Sequence, residues 1–345
     1  MLTINLDYIE LGLKLLTNIL IQIAIKYIPG VVIMIEKRWE VCAGYGDLAK
    51  DLAVQLDISL TTAQILINRG IKTKEGMEQF FALDLDNLWD PFLLYGMEEA
   101  VNRLLKAIDN SEKIVVYGDY DVDGITGTSV LIRVLRKMGV NADYYIPDRS
   151  EGYGLNNDAV KRLNQGGYEL IITIDNGISC FEQVELANSL GIDVIVTDHH
   201  EPPEKLPDAV AIINPKLEAC TYPYPYLAGV GVSFKLCQAL AGRIDSQELR
   251  QYVLEQIDLV TLGSIADIVP LLGENRIIAA SGLEKIGSTN NIGLKALVEV
   301  CQLEDKKINS GDVGFKLGPR INAIGRLDNP IQGVELLTTK DRAQA

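Results

Sequence analysis

Three aspartates stand on alternate residues directly after a short apolar run, and their types and spacing could do chemistry. They are Asp119, Asp121 and Asp123, within the sequence Gly-Asp-Tyr-Asp-Val-Asp-Gly that follows residues 114–117. In an extended chain, alternate residues point to the same side. Three carboxylates on one side repel one another unless a cation lies between them, and Mg²⁺ and Mn²⁺ prefer such oxygen ligands. The spacing therefore predicts a site for a divalent metal ion.

Two other interpretations fit this stretch locally. An EF-hand calcium loop also opens with Asp-x-Asp-x-Asp-Gly, but its twelfth position requires a bidentate glutamate, and that position is Val130 here. An EF-hand is also entered from a helix, whereas a strand-like run precedes this stretch. A solvated acidic turn needs no metal ion, and the local sequence alone leaves that interpretation open.

The elements that must position these aspartates are indicated by the periodicity of the chain. Between residues 114 and 213, short β-branched runs alternate with stretches of helical spacing. Such alternation predicts an α/β fold with a doubly wound, mainly parallel sheet, whose ligands bind beyond the carboxyl ends of the strands. The predicted strands cover residues 114–117, 143–146, 170–174, 194–197 and 210–213, and the predicted helices between them cover residues 128–138, 159–163 and 181–190.

Acidic and histidine residues follow three of these predicted strands. The three aspartates follow the first strand, Asp175 follows the third, and Asp198, His199 and His200 follow the fourth. Because parallel strands end at one edge, we expect the three clusters to meet there. Structural ion pairing explains them poorly, since no lysine or arginine lies within them. Carboxylates with one or two imidazoles fit Mn²⁺ or Mg²⁺ better than structural zinc, which favours thiolates.

Composition restricts the classes of function. A chain of 345 residues with 48% apolar residues can form two or three domains with a real core. A net charge of -15 and an isoelectric point near 4.7 argue against indiscriminate binding to nucleic acid, so a nucleic-acid ligand must meet a local basic patch or a metal ion. The five scattered cysteines predict neither a disulfide framework nor a zinc ribbon and favour a cytoplasmic location.

The first 38 residues differ from the rest of the chain and are expected to form an apolar N-terminal extension. A membrane-spanning helix requires ~18 or more uninterrupted apolar residues, whereas Lys26, Pro29 and Gly30 interrupt this segment. We therefore expect no membrane span, although an amphipathic helix docked on the protein or on a membrane surface remains an alternative. We expect Met34 to be the natural start, so that removal of the preceding residues leaves folding and activity unchanged. Residues 39–110 are predicted to form a helical region before the first strand.

The Asp-x-Asp-x-Asp-Gly stretch, Asp-Asn-Gly at residues 175–177 and Asp-His-His at residues 198–200 occur in this order on successive strands. This arrangement resembles the DHH phosphoesterase superfamily. Longer segments resemble its branch of single-strand-specific DNA exonucleases, the RecJ family, from about Trp39 to the end of the chain. The resemblance implies a DHH catalytic α/β domain at residues 111–270 and a mostly helical C-terminal part at residues 271–345. The segments that carry this closer resemblance are residues 151–156, 228–235, 263–271 and 317–326.

The resemblance also implies a two-ion site for Mn²⁺ or Mg²⁺. It places one ion between Asp121 and Asp175, and the other among Asp123, Asp175, His199 and Asp267. Asp175 then bridges the two ions. Taken alone, Asp267 would equally be a helix-capping residue, and only the resemblance makes it a metal ligand.

Further roles follow from the same resemblance. Other members of the superfamily place a histidine where this chain has Tyr117, so Asp119 is expected to assist the ligands of the first ion instead. His200 is expected to contact a phosphate or donate a proton rather than to bind metal. The residues that resemble the family's nucleic-acid-contacting motif are Arg320, Asn322 and Arg326. The alternative for that motif is a loop that two arginines tie to the core.

The implied activity is 5′→3′ hydrolysis of single-stranded DNA to 5′-mononucleotides, in DNA repair and recombination. The implied partners are single-stranded DNA and single-strand-binding or helicase-type repair proteins. Chains of this branch continue into a DHH-associated domain, whereas this sequence ends at Ala345, where the connecting helix begins. We therefore expect weakened activity, a preference for very short substrates, or dependence on a partner that supplies the second wall of the substrate groove. The alternatives are a catalytically weak DNA- or partner-binding module and a phosphoesterase for small oligonucleotides.

Overall fold

The computed structural model describes residue 44 and residues 46–327 and 329–345, without the side chains of residues 326 and 327. The predictions for residues 1–38, including a start at Met34, lie outside the described residues. The helices are α1 (Gly46–Gln55), α2 (Leu60–Asn68), α3 (Lys74–Phe81), α4 (Met97–Asp109), α5 (Val122–Lys137), α6 (Asn157–Gln165), α7 (Phe181–Ser189), α8 (Gly229–Ile244), α9 (Gln247–Leu254), α10 (Ile257–Ala266), α11 (Gly273–Gly287), α12 (Ile292–Val300), α13 (Ser310–Asp312), α14 (Gly318–Leu327) and α15 (Ile331–Thr338). The strands are β1 (Ile114–Gly118), β2 (Asp143–Tyr145), β3 (Leu170–Ile174), β4 (Asp193–Thr197) and β5 (Ala211–Ile213).

The chain divides into two compact units. The first contains α1 and α2 and reaches to Lys72, and the second is Thr73–Ala345. In the first unit, Ser59 caps α2 by accepting a hydrogen bond from the Thr62 N–H, which agrees with the helix predicted there. The helix α3 also lies within residues 39–110, which are predicted to be helical.

The second unit is built on a five-stranded sheet in which all pairs are parallel, in the order β2-β1-β3-β4-β5. The predicted fold class is confirmed, and each predicted strand is present to within one residue at either end. The helix predicted over residues 128–138 begins six residues earlier, at Val122. It does so because Asp121, read as part of a metal loop, also caps this helix.

Both faces of the sheet are covered by helices, and this explains the continuous apolar runs. In β1, Ile114 and Val116 belong to the core on one face, with apolar residues of α5 and α8. Val115 and Tyr117 belong to the core on the other face, with residues of α6 and α7. A strand that is buried on both faces has no polar side to display, so it shows no alternation of apolar and polar residues.

Helices dominate the part of the unit that follows the sheet. Both α10 and α15 pack against α5, and α11 packs against α10. A π-helical turn at Val313–Leu317 joins α13 to α14. No helix within the described residues is long and apolar enough to cross a membrane.

Candidate metal centre

The carboxyl ends of four parallel strands lie level with one another. Gly118 of β1 pairs with Ile174 of β3, which pairs with Thr197 of β4, which in turn pairs with Ile213 of β5. The first residue beyond each strand continues the ladder. The backbone N–H groups of Asp119, Asp175 and Asp198 donate to the carbonyls of Ile174, Thr197 and Ile213 at 3.2, 3.0 and 3.0 Å. The structure thus brings the three predicted clusters to one edge.

The three alternate aspartates converge by a different geometry from the extended one expected. Asp121 is extended and caps α5, because its Oδ1 accepts hydrogen bonds from the N–H groups of Asp123 and Gly124 at 2.8 and 3.1 Å. Asp123 therefore lies in the first turn of the helix rather than on a strand. The expectation of one extended side was wrong, because helix capping by Asp121 turns the chain at that point.

Asp123 lies against the N-terminus of a second helix, α8. Its Oδ2 accepts from the Gly229 N–H at 2.6 Å, and its Oδ1 accepts from the Val230 N–H at 2.8 Å. These N–H groups have no partner within their own helix, and the helix dipole favours an anion there. Burial, followed by the nearby Asp267 and Asp121 carboxylates, nevertheless raises the pKa of Asp123 well above its usual value. The backbone of α8 fixes this carboxylate, a role that the sequence did not reveal.

Asp175 is buried and held in an unusual conformation. Its φ is 63°, in the left-handed region that few residues other than glycine adopt. Its Oδ1 accepts no hydrogen bond from any described residue, although the His199 Nε2 lies 3.0 Å away. Burial and the nearby Asp123 carboxylate raise the pKa of Asp175 well above its usual value. A buried oxygen without a hydrogen bond is costly unless an ion satisfies it.

The His199 imidazole lies among the carboxylates. Besides its approach to Asp175, its Nε2 lies 3.6 Å from the Asp123 Oδ2 and 3.7 Å from the Asp267 Oδ2. Burial and the neighbouring His200 lower the pKa of His199 to about 4. The ring is therefore neutral near pH 7, the form in which an imidazole binds metal.

Asp267 and Asp119 complete the cluster. Asp267 follows the last residue of α10 and occupies its C-cap. It therefore lies both at the end of this helix and beside His199. Burial and the nearby Asp121 raise the pKa of Asp267 to about 6 and the pKa of Asp119 to about 7. The Asp119 Oδ1 is a second buried carboxylate oxygen that accepts no hydrogen bond within the described residues.

Three sets of side chains each place one ligand atom within 4.8 Å of the others. The sets are Asp119, Asp121 and Asp175; Asp123, His199 and Asp267; and Asp175, His199 and His200. Several carboxylates with raised pKa values cannot all ionise together without a cation. Their oxygens and the neutral imidazole form a donor set that fits Mn²⁺ or Mg²⁺. The first two sets follow the expected division between two ions, which stays a prediction.

His200 lies at the exposed side of the cluster. Its Nδ1 donates to the Asp198 Oδ1 at 2.7 Å, while its ring is half-exposed. This hydrogen bond raises the pKa of His200. The Tyr153 hydroxyl donates to the Asp175 carbonyl at 2.9 Å and lies 3.3 Å from the His200 ring nitrogens. Tyr153 was given no role from the sequence. The signal that could have indicated one is its two flanking glycines, both of which adopt a positive φ.

The predicted nucleic-acid contacts lie on α14. The Asn322 Oδ1 accepts from the Val122 N–H at 3.2 Å, so Asn322 ties α14 to the first turn of α5. The exposed Arg320 donates from Nη1 to the Lys316 carbonyl at 2.9 Å. The side chain of Arg326 lies outside the described residues. Contact of these residues with nucleic acid stays a prediction.

Tyr117 lies on the opposite face of the sheet. Its hydroxyl donates to the Gly154 carbonyl at 3.1 Å, and its ring stacks on Tyr145 with the centroids 5.1 Å apart. It is therefore used in packing, and the assistance of Asp119 to the first ion stays a prediction.

Residues 113–264 match the family model for the DHH family, N-terminal domain. The chain is 44% identical over 309 residues to the single-stranded-DNA-specific exonuclease RecJ of Bacillus subtilis, covering 89% of this chain and 38% of the relative. It is 44% identical over 269 residues to RecJ of Haemophilus influenzae, covering 76% of this chain and 47% of the relative. The chain thus spans less than half the length of these two relatives.

A solved structure is also similar. It is RecJ from Thermus thermophilus in complex with Mn²⁺, with a TM-score of 0.75 and 30% sequence identity, over 89% of this chain and 43% of that one. Because it covers 89% of this chain, the similarity extends beyond the five-stranded sheet.

Proposed function

Because this chain belongs to the DHH family, we propose that it is a metal-dependent phosphodiesterase. Its proposed reaction is 5′→3′ hydrolysis of single-stranded DNA to 5′-mononucleotides, in DNA repair and recombination. One observation carries the proposal, namely the cluster of five aspartates and a neutral histidine at the edge of the sheet. Buried carboxylate oxygens that lack hydrogen bonds cost free energy, and DNA binding alone does not require them.

Asp119, Asp121 and Asp175 would hold one divalent ion, and Asp123, Asp175, His199 and Asp267 would hold the other. Two bound ions would activate a water for in-line attack on phosphorus and neutralise the charge that develops on the phosphodiester oxygens. Mn²⁺ is supported by the similar structure that contains it, and Mg²⁺ is supported by the oxygen-rich donor set.

The protein's own residues keep these donor atoms in place. The two backbone N–H groups of α8 orient the Asp123 carboxylate, and His199 presents an unprotonated Nε2 because burial lowers its pKa to about 4. His200 is half-exposed, and its hydrogen bond to Asp198 raises its pKa. Its remaining ring nitrogen can donate a hydrogen bond to a phosphate or a proton to the leaving oxygen.

The charge of the chain is compatible with a DNA substrate when attraction is local. A net charge of -15 repels a polyanion at long range, so the ions and the exposed Arg320 would supply the attraction. We propose Arg320, Asn322 and Arg326 as contacts to the DNA backbone. Asn322 would act beside Val122 and thus next to the metal-binding turn.

We propose three parts of the chain: a helical region at residues 39–110, a catalytic domain at residues 111–270 and a mostly helical C-terminal part at residues 271–345. Among the described cysteines, Cys180, Cys220, Cys237 and Cys301 form no disulfide, which supports a proposed location in a reducing cytoplasm. Single-strand-binding and helicase-type repair proteins are proposed partners.

The proposed activity is tested by release of 5′-mononucleotides from end-labelled single-stranded DNA with Mn²⁺. The parent chain should release mononucleotides, Asp175→Ala should release none above background, and the exposed control Asp109→Asn should match the parent. A folded parent that binds Mn²⁺ but releases no mononucleotide would remove the exonuclease proposal. If that parent still binds single-stranded DNA, the binding-module alternative would replace it.

A further inference from the structure

An exposed aromatic ring lies in the π-helical turn just before α14, the helix that carries the predicted DNA contacts. Phe315 is 85% exposed, more than any other aromatic residue of the described chain. Burial of a phenylalanine side chain stabilises a protein by about 1.5–3 kcal/mol relative to exposure. The exposed Phe315 ring does not contribute that stabilisation, although its neighbours Val313 and Leu317 are buried.

The backbone at Phe315 is also unusual. Residues Val313–Leu317 form a π-helical turn, in which the Gly318 N–H donates to the Val313 carbonyl five residues earlier. Single π-helical turns are rare in proteins, and those that occur often lie at functional sites. The Lys316 carbonyl in this turn accepts from the Arg320 guanidinium at 2.9 Å. The turn therefore fixes a cationic group one helical turn beyond Phe315.

The π-helical turn lies close to the metal centre. Gly318, the next residue after it, packs so tightly that an added Cβ would lie 3.3 Å from the Ala266 Cβ and 4.0 Å from the Val122 Cγ2. Ala266 precedes Asp267, and Val122 lies between Asp121 and Asp123. Phe315 is thus three residues before a glycine that lies beside Ala266, and seven residues before Asn322, whose Oδ1 accepts from the Val122 N–H at 3.2 Å.

We propose that the Phe315 ring stacks on a nucleobase of a single-stranded nucleic acid whose scissile phosphate lies at the metal centre. The inference rests on the proposed function and names the residue that binds a base beside the reacting phosphate. Aromatic rings on a cationic surface bind single strands in this way, and each stacked base contributes about 1–3 kcal/mol. Arg320 supplies a cationic group, whereas the Lys316 ammonium is paired with the Asp312 carboxylate at 2.6 Å. The exposed ring of Phe315 supplies the stacking surface.

The test uses Phe315→Ala, Phe315→Trp and the matched control Phe81→Ala. Phe81 is another exposed phenylalanine on a helix, at 44% exposure, far from α14 in the sequence. KM and kcat are measured on oligothymidylate and on an abasic oligonucleotide of the same length. Binding of both oligonucleotides is measured by anisotropy with Ca²⁺ in place of Mn²⁺.

Phe315→Ala should raise KM and Kd for oligothymidylate about 5- to 150-fold, with little change in kcat and little change on the abasic strand. Phe81→Ala should match the parent. Phe315→Trp should keep the affinity, and its added fluorescence should be quenched by oligothymidylate but not by the abasic strand. A purely structural role for Phe315 would not distinguish the two strands.

Equal losses on both strands, or unchanged KM and Kd in Phe315→Ala, would overturn the inference. A change of oligomeric state on gel filtration without a change in DNA binding would assign Phe315 to contact with a second copy and would overturn it too. Base-dependent quenching without mononucleotide release would reject the exonuclease activity alone. A parent that neither binds nor cleaves DNA would reject both proposals.

Discussion

Substitution of Gly229 by alanine should disable the metal centre while leaving the fold intact. Gly229 begins α8 and donates its N–H to the Asp123 Oδ2 at 2.6 Å. On its other side it faces Asp175, and an added Cβ would lie 2.6 Å from the Asp175 Cβ and 2.9 Å from its Cγ and Oδ1. One methyl group would therefore displace the two carboxylates that the centre depends on.

The size of the effect follows from these distances. Ordinary van der Waals contact begins at 3.4 Å, so the Asp175 side chain and α8 must separate by roughly 0.8 Å. Neither side gives way cheaply, because Asp175 is buried at a positive φ and α8 is anchored through its N–H bonds to Asp123. Overpacking of this kind costs about 1–3 kcal/mol of stability, and a displacement of about 1 Å at a catalytic centre can lower the rate about 100-fold.

The control for this prediction lies two residues along the same helix. In Gly231→Ala the added Cβ would meet the Leu227 side chain at 3.4 Å, which is ordinary contact. Mononucleotide release and the rise in melting temperature with Mn²⁺ are measured for both variants. Gly229→Ala should melt cooperatively, lose about 100-fold in rate and show a smaller rise with Mn²⁺, whereas Gly231→Ala should match the parent. Parental activity in a folded Gly229→Ala variant would refute this reasoning.

Two further predictions concern stability. In EDTA the free energy of unfolding should fall as the pH rises from about 4 to about 7. Folding raises the pKa of Asp119 from 3.8 to about 7 and the pKa of Asp267 from 3.8 to about 6. In this pH range the folded state therefore holds protons that the unfolded chain has released. His199, whose pKa is lowered to about 4, opposes this trend below about pH 6.5, but one histidine is outnumbered by the two carboxyls. Urea titrations at several pH values should show the fall in the free energy of unfolding. Excess Mn²⁺ should abolish this dependence on pH. Lys235→Met should cost about 3–5 kcal/mol in urea unfolding, because Lys235 is buried and its Nζ donates to the buried Glu274 Oε1 at 2.5 Å. Addition of Glu274→Leu should restore much of that loss, and a cost below about 1 kcal/mol for the single variant would show that the buried pair is not the cause.

The sheet and the place of its ligands could be predicted because they depend on local patterns and one general rule. Every residue of the runs at 170–174 and 194–197 is apolar or β-branched, as is typical of strands buried on both faces. Asp175 and Asp198 then had to lie at one edge, since parallel strands end together. The registers Ile174↔Thr197 and Thr197↔Ile213 satisfy that expectation.

The supports of the site could not be predicted, because they join residues far apart in the sequence. The hydrogen bond from Gly229 to Asp123 spans 106 residues, and no local signal connects a glycine at the start of one helix with an aspartate at the start of another. In the sequence, Gly229 was notable only as part of residues 228–235, one of the segments that carry the family resemblance. Tyr153 was missed for the same reason, since its partner is the Asp175 carbonyl, 22 residues away in the sequence.

The electrostatics of the edge suggest that metal binding and local stability form one equilibrium. The backbone offers two N–H groups to Asp123, and His199 stays neutral, but the buried oxygens Asp119 Oδ1 and Asp175 Oδ1 accept no hydrogen bond within the described residues. Without a cation the cluster must retain protons or tolerate repulsion, and either state costs free energy. A ligand that binds only the folded state stabilises it by mass action, so each bound ion both removes that cost and completes the site. The edge should therefore be the least stable part of the sheet in the absence of metal, and substitutions that weaken it should lower metal affinity before they lower the melting temperature.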